Sequence, residues 1–482
     1  MPVLQKARQE LFVDGERMSA SSDEYFTSIN PATEDEIAEV AKAVSGDVDR
    51  AVAVAREALS VWQSKSPVER GQIVHGIAER IRDNGDELAA IESRDQGKPL
   101  AQARSDIEDA ARYFEYYAGA ADKLEGESIP LGEDSLNLTT REPYGVSGQI
   151  IPWNFPLSIT ARGVAPALVA GNTVVIKPAP TTPLSALQLA DICSDAGIPD
   201  GVVNVVTGGA EPGAALSSHT DVDQLTFTGS VPTGEAVMQS AAETITPVTL
   251  ELGGKNPAVV MPDADLDTAS FWIATGIFTN AGQICSAADR AIVHESIYDE
   301  FVDRIVARAE SYTLGPGKDD PDMGPLNHAE HFESVLDYIE IGLNEGATLE
   351  TGGGPLDRDG YFLSPTVFSD VDNDMRIAQE EIFGPVVTVI PFSDREEAIE
   401  IANDVEFGLT GGVFSRDVTK ALNVARDIEA GSVYVNEWFG GSVETPFGGA
   451  KKSGIGREKG FEALDSYLQT KSISVNLDEG DR

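Results

Sequence analysis

Cysteine is scarce in this chain, with only Cys193 and Cys285 among 482 residues. Two thiols cannot build the disulfide framework of a secreted domain, and no charged stretch followed by an apolar one opens the sequence. Apolar runs are short as well: even GVAPALVAGNTVVI is interrupted by Pro166 and Asn172, whereas a membrane span needs about 18 consecutive apolar residues. We therefore predict a cytoplasmic protein that does not span a membrane.

Basic residues are also few: 35 Lys and Arg stand against 80 Asp and Glu, which gives a net charge of -45. Such a balance argues against nucleic acid as a partner. Because 41% of the residues are hydrophobic, the acidic excess does not indicate disorder. We interpret it as a surface adapted to high salt, where the screening length shortens to about 3 Å at 1 M. An acidic protein from an ordinary environment is the alternative.

Two common ligand signatures are missing. The five histidines are scattered and the cysteines are only two, so no metal site is expected. The G-x-G-x-x-G fingerprint of dinucleotide-binding proteins is absent too. Its nearest match, TGGAEPG, places Gly208, Gly209 and Gly213 at the wrong spacing, and we interpret it as a turn.

The patterns that are present predict an α/β protein. Apolar residues at helical spacing run through 47–115. Short β-branched runs alternate with helical segments between 145 and 260, as in NTVVIKP and QLTFTGS, and again between 265 and 435, as in RAIVHES and PVVTVIPF. This alternation is typical of parallel, doubly wound sheets. We expect two α/β halves that meet near Glu251, with the functional site in the cleft between them.

Two residues could carry covalent chemistry. Cys285 lies in NAGQICSA, and Glu251 ends an apolar strand in LELGGKNP. A desolvated glutamate gains proton affinity and could act as the base that recruits a thiol nucleophile. The alternatives are a small buried hydrophobe for Cys285, which is our interpretation of Cys193, and an ion pair with Lys255 for Glu251.

Asn154 and Lys177 are the next candidates. Asn154 lies in the proline-flanked loop IIPWNFP, where its amide could donate to a developing alkoxide, although a purely structural turn explains the prolines equally well. Lys177 ends the strand in VVIKPAP, where it could hold ribose hydroxyls or a phosphate, or simply be solvated. His294 and His328 could serve a cysteine hydrolase, but neither lies in a sequence that suggests such a base.

Taken in order, PWNFP, IKPA, FTGS, LELGGKNP, GQICSA, EEIFGPV and PFGGAKKSGIGRE resemble the aldehyde dehydrogenase superfamily across about residues 11–471. The resemblance implies a Rossmann-like cofactor domain at 1–124 and 145–250 and a catalytic domain at 251–435. It also implies a small β oligomerisation arm at 125–144 and 465–482, through which such proteins form dimers or tetramers.

The resemblance also implies catalytic roles. Cys285 resembles the nucleophile that attacks the aldehyde, and the Asn154 amide with the Cys285 backbone N–H resembles the oxyanion hole. Glu251 resembles the base that activates water against the thioester. Relatives that transfer the acyl group to coenzyme A typically lack this glutamate, so the expected product is a free acid.

The expected cofactor is NADP or NAD. Six positions resemble the family's cofactor contacts: Trp153, Lys177, Pro180, Ser230, Glu381 and Phe383. NAD-preferring relatives usually carry glutamate at the position of Pro180. Its carboxylate would accept from the ribose 2′-OH and repel a 2′-phosphate, so proline favours NADP.

The expected substrate is a short aldehyde with a distal carboxylate. Arg162 and Ser442 resemble the carboxylate contacts of the succinate-semialdehyde and 2-oxoglutarate-semialdehyde (2,5-dioxopentanoate) dehydrogenase branch, although a further arginine of some members is Thr279 here. A surface ion pair is the alternative role for Arg162. Betaine aldehyde or a broad range of aliphatic aldehydes is the alternative substrate. A cofactor-free cysteine esterase or a non-catalytic protein would be the alternative class.

Overall fold

Two large β-sheets organise the chain in the computed structural model, which describes residues 8–477. The first sheet has eight strands, and its five central strands are parallel. In spatial order the strands are Gly454–Ile455, Val248–Glu251, Gln224–Thr228, Val146–Ile150, Thr173–Lys177, Val203–Val205, Leu11–Val13 and Glu16–Met18.

The strand Thr173–Lys177 shows why the first sheet is buried on both faces. Successive side chains of a strand point to opposite faces. Accordingly, Val174 and Ile176 pack into one hydrophobic cluster, whereas Val175 packs into another. A run of apolar β-branched residues, rather than an alternating one, is typical of a parallel strand covered by helices on both sides.

The second sheet has seven strands, of which only the edge strand Thr348–Thr351 is antiparallel to its neighbour. The others follow in the spatial order Thr366–Ser369, Val386–Phe392, Arg290–His294, Pro257–Val260, Thr410–Phe414 and Ser432–Val435. The predicted pair of doubly wound α/β halves is therefore confirmed.

Helices cover the sheets and form the predicted N-terminal helical layer. That layer comprises Ser45–Gln63, Pro67–Asp83, Gly85–Gln96 and Leu100–Ala120. Its second helix begins with proline after the capping residue Ser66, whose hydroxyl accepts from the backbone N–H of Glu69. The remaining α-helices are Pro156–Ala170, Leu184–Asp195, Ala210–Ser217, Val231–Thr244, Leu266–Phe278, Tyr298–Ser311, Ala329–Glu345, Arg376–Gln379, Arg395–Asn403 and Val418–Asp427. Short 3-10 turns occupy Ala121–Lys123, Thr279–Gly282, Glu295–Ile297, Gly317–Asp319 and Glu462–Tyr467.

Three small sheets complete the fold. An antiparallel arm contains Ser128–Pro130, Ser135–Pro143 and Leu468–Asn476. The other two join Arg8–Gln9, Glu36–Ala41 and Tyr25–Ile29, and Phe407–Gly408 with Ala450–Lys451. The arm strands fall within the segments predicted for oligomerisation, while residues 1–7 and 478–482 of the predicted domains lie outside the described residues.

Several expectations can be compared with the fold directly. Cys193 is fully buried in a hydrophobic cluster, as predicted. In TGGAEPG only residues 207–209 form the connection before the helix Ala210–Ser217; the last four residues, including Gly213, belong to the helix. Within residues 8–477, no helix has the length and apolarity needed to cross a membrane, and no group of three or more metal-binding side chains is found.

Candidate active site

The winding of the first sheet reverses between the adjacent strands Val146–Ile150 and Gln224–Thr228. In an open parallel sheet, ligands bind beyond the carboxyl ends of the strands at such a reversal. A cleft of about 870 Å³ opens at this place. It brings together seven predicted residues: Trp153, Asn154, Ser230, Glu251, Cys285, Glu381 and Phe383.

Cys285 lies in the cleft directly after a strained turn. The 3-10 turn Thr279–Gly282 includes Ala281 at φ 54°, a left-handed conformation that is costly for a residue with a side chain. Gly282 has φ 72°, and a Cβ there would lie 2.1 Å from a backbone carbonyl oxygen, so only glycine fits. The Cys285 carbonyl accepts from Nδ2 of Asn256 at 2.9 Å. The turn before Cys285 and the hydrogen bond to its carbonyl thus fix the backbone of the loop.

The Cys285 thiol is protonated at rest. Burial raises its pKa to about 12, against the opposing effect of the nearby Arg162 cation. The thiolate is the nucleophilic form of cysteine. Cys285 therefore needs a base that removes its proton when substrate is bound.

Glu251 is suited to be that base. It ends the strand Val248–Glu251 with 2% of its surface exposed, and neither carboxylate oxygen has a hydrogen-bond partner among the described residues. Burial, and then the charge of Glu458, raise its pKa well above the usual range. Lys255 Nζ also lacks a hydrogen-bond partner among the described residues, so the ion pair with Glu251 that was the alternative is not formed.

Asn154 lies beside the cysteine loop. Its Nδ2 donates to the carbonyl oxygen of Gln283 at 3.0 Å. A side-chain amide has two N–H groups, so one remains for a ligand in the cleft. The backbone carbonyl of Asn154 accepts from Lys98 Nζ at 2.9 Å and from Asn280 Nδ2 at 3.1 Å. The loop thus presents Asn154 on a fixed backbone.

An aromatic wall lines one side of the cleft. The Trp153 ring lies 5.3 Å from that of Phe383 and 5.2 Å from that of His331. His331 Nε2 contacts the Phe383 carbonyl oxygen at 2.8 Å, where it supports the left-handed φ of 58° at Phe383. Burial lowers the pKa of His331 to about 4, so its ring stays neutral. His328, considered above only as a base for a hydrolase, belongs to this wall at 5.6 Å from Trp153.

Glu381 and Ser230 supply polar groups opposite that wall. Glu381 accepts from the backbone N–H of Gly254 at 2.9 Å, and burial raises the pKa of its carboxyl to about 8. Ser230 directly precedes the helix Val231–Thr244, and Thr233 in its first turn also lines the cleft. Such a helix terminus attracts phosphate.

Lys177 and Pro180 lie farther along the same sheet edge. Lys177 ends its strand beside Ile150 and is 6% exposed, and burial lowers the pKa of its ammonium group to about 8. Pro180 is half-buried in the loop that follows. The buried hydroxyls of Thr181 and Thr182 have no hydrogen-bond partners among the described residues. This edge therefore offers a cation and unsatisfied hydroxyls to a ligand.

Residues 18–473 match the sequence model of the aldehyde dehydrogenase family. The chain belongs to this family. An aldehyde dehydrogenase of Aspergillus niger is 46% identical over 471 residues, which cover 97% of this chain and 95% of that protein. Betaine aldehyde dehydrogenase of Bacillus subtilis is 45% identical over 478 residues, or 97% of each protein. The NAD+ complex of an aldehyde dehydrogenase from Bacillus cereus superposes with a TM-score of 0.97 at 44% identity, covering 99% of this chain and 98% of that one.

The enzyme is thus an NAD(P)-dependent aldehyde dehydrogenase, and the site fits a dinucleotide. Its cleft runs along the carboxyl edge of the parallel strands, past the helix terminus after Ser230. The buried hydroxyl of Thr228 in this cleft has no hydrogen-bond partner among the described residues. Lys177 at the end of its strand and Glu381 in the cleft add polar side chains along this edge.

The two predicted substrate contacts have different surroundings. Arg162 is 7% exposed within the helix Pro156–Ala170 and pairs with the buried Glu458. This is a buried ion pair and not the surface pair considered above. Ser442 is exposed and donates to Glu444, which pairs with Arg112 at 2.8 Å. The Glu444 carboxylate would repel an anionic substrate, so this geometry opposes the role predicted for Ser442.

Sequence reasoning missed several charged residues near the site. Glu458 ends the last quoted motif and Lys459 follows it, but only the fold brings them close to Arg162. The Lys459 ammonium lies 5.2 Å from the Phe447 ring centre, and the Arg162 guanidinium lies 5.6 Å from the same ring. The buried Lys98 was missed as well, because its contact with the Asn154 carbonyl joins segments 56 positions apart.

Proposed function

We propose that this enzyme oxidises an aldehyde to a free carboxylic acid through a thioester on Cys285. The observation that carries the proposal is that a partly buried thiol, Cys285, and an unpartnered buried carboxylate, Glu251, line one cleft. Removal of the thiol proton by Glu251 turns a weak nucleophile into a strong one.

The first step is attack on the aldehyde. Cys285 Sγ forms a bond to the carbonyl carbon as its proton passes to Glu251, and the carbonyl oxygen becomes an alkoxide. The free N–H of Asn154 and the backbone N–H of Cys285 stabilise that charge. A single donor of this kind contributes about 10² to 10³ in rate where it has been measured.

The bound dinucleotide supplies the hydride acceptor for oxidation of the thiohemiacetal to the thioester. Trp153, Phe383 and Glu381 line the part of the cleft that leads to Cys285, where they would hold the nicotinamide and its ribose. Glu251 first releases the thiol proton to solvent and then takes a proton from water, whose oxygen attacks the thioester carbon. Cleavage of the C–S bond releases the acid, and the proton held by Glu251 passes to the sulfur and restores the thiol.

We further propose that the substrate is a short semialdehyde with a distal carboxylate, such as 2-oxoglutarate semialdehyde or succinate semialdehyde. Support comes from the buried Nη2 of Arg162, which has no hydrogen-bond partner among the described residues. Lys459 adds a second cation beside Phe447. A guanidinium with open donors binds a carboxylate strongly in a desolvated site.

Betaine aldehyde is the second candidate. The Bacillus subtilis relative bears that name. In this chain Glu458 neutralises Arg162 in part, which weakens the repulsion of a cationic substrate. A broad-specificity aliphatic aldehyde dehydrogenase, the remaining alternative, would need neither the Arg162 cation nor the Glu458 carboxylate.

NADP is the proposed preferred cofactor. Pro180 removes the carboxylate that would exclude a 2′-phosphate, and the neighbouring hydroxyls of Thr181 and Thr182, although buried, have no hydrogen-bond partners among the described residues and could donate to that phosphate. The Bacillus cereus relative was solved with NAD+, so NAD is the alternative for comparison.

A homo-oligomer formed through the arm is also proposed, together with the cytoplasmic location predicted from the sequence. The arm exposes apolar side chains to a degree unusual for a free surface. They are Ile129 at 38%, Leu131 at 58%, Leu138 at 38%, Ile473 at 43% and Val475 at 41%. Light scattering of the native chain and of Leu131→Asp tests the role of the arm, since the variant is expected to have a smaller mass.

A substrate panel tests the specificity. Cofactor reduction at 340 nm is followed in concentrated KCl with the two semialdehydes, betaine aldehyde and a neutral aliphatic aldehyde, each with NAD and NADP. Lys459→Met is expected to raise KM about tenfold for the semialdehydes alone, while Lys452→Met, an exposed lysine paired with Glu406, serves as the control. A preference for betaine or neutral aldehydes would refute the carboxylate proposal.

A further inference from the structure

A cluster of three buried ionisable residues lies behind the Asn154 loop. Lys98 follows Gly97 at the end of the helix Gly85–Gln96, and its side chain is 0% exposed. Glu92 of that helix is also 0% exposed, and Asp106 of the next helix is 8% exposed. Charged residues are almost never buried to this extent unless they are paired.

Every donor of Lys98 has an acceptor. Its ammonium group donates to Glu92 at 3.3 Å, to Asp106, and to the backbone carbonyl of Asn154 at 2.9 Å. The ammonium also lies 4.3 Å from the ring centre of Phe155. An ammonium group has three N–H bonds, so one of the three is committed to the Asn154 loop.

The same cluster holds the far end of that loop. The second carboxylate oxygen of Glu92 accepts from the backbone N–H of Leu157 at 3.1 Å. Leu157 lies in the first turn of the helix Pro156–Ala170. Residues 154 and 157 are therefore tied to one rigid group, although residues 151–155 belong to neither helix nor strand.

Burial of three charges is costly, and apolar side chains of similar volume often stabilise a fold equally well. A fully connected polar network instead selects one geometry. Here the geometry selected is that of a loop whose other face carries the Asn154 amide, 3.0 Å from the Gln283 carbonyl in the cysteine loop. Misplacement of a catalytic group by about 1 Å can reduce the rate about 10²-fold.

We infer that Lys98 is a positioning residue for catalysis: held by Glu92 and Asp106, it fixes the Asn154 backbone so that the side-chain amide meets the aldehyde oxygen. The inference rests on the oxyanion role proposed for Asn154. Lys98 itself contacts neither the substrate nor the reacting atoms.

A double-mutant cycle tests this inference. Lys98→Met with Asp106→Asn removes the ammonium and one compensating carboxylate together, so that fewer uncompensated charges remain. The pair is measured in the native background and in the Asn154→Ala background by the pre-steady-state rate of cofactor reduction. Arg17→Met with Asp191→Asn removes a half-buried pair outside the cleft, joined at 2.5 Å, and is the matched control.

In the native background the paired substitution should lower the rate of cofactor reduction about 10- to 100-fold. In the Asn154→Ala background it should lower that rate less than about twofold, because the paired substitution and Asn154→Ala disable the same interaction. KM for the cofactor should stay unchanged. Equal fold losses in both backgrounds would overturn the inference. No rate loss on Asn154→Ala alone would instead refute the proposed oxyanion role.

If the double variant does not fold, Glu92→Gln replaces it in the cycle. This change removes one charge from the cluster and weakens the hold on Lys98 and on the Leu157 N–H. A smaller loss of about two- to fivefold is expected, and it should again vanish without Asn154. Persistence of the loss in the Asn154→Ala background contradicts positioning through that residue.

Discussion

Replacement of Glu251 by glutamine is the change that separates the two halves of the reaction. Glutamine has nearly the same shape but cannot accept a proton at neutral pH. Both carboxylate oxygens of Glu251 lack hydrogen-bond partners among the described residues, so no polar contact of the side chain is lost. The variant should therefore fold normally.

The expected kinetic effect is large and confined to proton transfer. A positioned general base contributes about 10²- to 10⁴-fold, so steady turnover should fall by about three orders of magnitude. The acyl group should remain on Cys285, because thioester hydrolysis needs the base to activate water. A stopped-flow trace should show one equivalent of reduced cofactor per active site, followed by a stall. If Glu251 also deprotonates the thiol, that burst slows but keeps its amplitude.

For the same variant we predict a change in thermal stability whose sign depends on pH. Burial raises the pKa of Glu251 well above the value of an unfolded glutamate. Above the unfolded pKa, the unfolded chain releases this proton while the folded chain retains it, so stability falls as pH rises; each tenfold difference in proton affinity corresponds to about 1.4 kcal/mol. Glu251→Gln removes this penalty. Its Tm should exceed that of the native enzyme at pH 8 and match it near pH 4.

Two outcomes would refute this reasoning. Steady turnover close to the native rate would show that Glu251 is not the base. A Tm that falls at pH 8 would show that the carboxylate makes stabilising contacts that the structure lacks. The native kcat/KM should also rise with pH through a pKa above the usual glutamate range, and this rise should disappear in the variant.

Three further predictions concern the nucleophile, the cofactor and the acidic surface. Cys285→Ala should lower oxidation by more than about 10³-fold with an unchanged circular dichroism spectrum, whereas Cys193→Ala should retain activity; loss in both variants would point to a folding defect. Pro180→Glu should increase the ratio of NAD to NADP efficiency about tenfold, because the carboxylate accepts from a 2′-OH and repels a 2′-phosphate; an unchanged ratio contradicts the proposed role of this position. With a net charge of -45, the native enzyme should show a higher Tm in 2 M KCl than in dilute buffer, and a salt-independent Tm would favour the ordinary acidic protein.

Much of this architecture could be predicted because its signals are local. The run TVVIK predicts a buried strand from β-branched residues alone, and it forms at Thr173–Lys177. The segment YDEFVDRIVARAESY predicts a helix from its apolar spacing, and Tyr298–Ser311 is helical. Likewise, seven of the predicted site residues line one cleft. Asn154, Ser230 and Glu251 do so because they end or follow neighbouring parallel strands of the first sheet.

The surroundings of the charged residues could not be predicted in this way. The sequence predicts that Arg162 holds a substrate, but its pairing with Glu458 depends on how the C-terminal segment returns to add the edge strand Gly454–Ile455 to the first sheet. In the sequence Lys98 is simply a lysine after a glycine, yet its ammonium group donates to the carbonyl oxygen of Asn154, 56 positions away. Neither contact leaves a periodicity or a motif in the neighbouring sequence.

Residue type and short-range spacing are enough to predict the alternation of strands and helices, the acidic surface and the set of reactive side chains. The protonation of those side chains and the identity of their partners depend instead on how the chain packs. A thiol with a pKa of about 12 and a carboxyl with a pKa of about 8 result from burial. Burial is a property of packing between distant segments, and no single segment carries it.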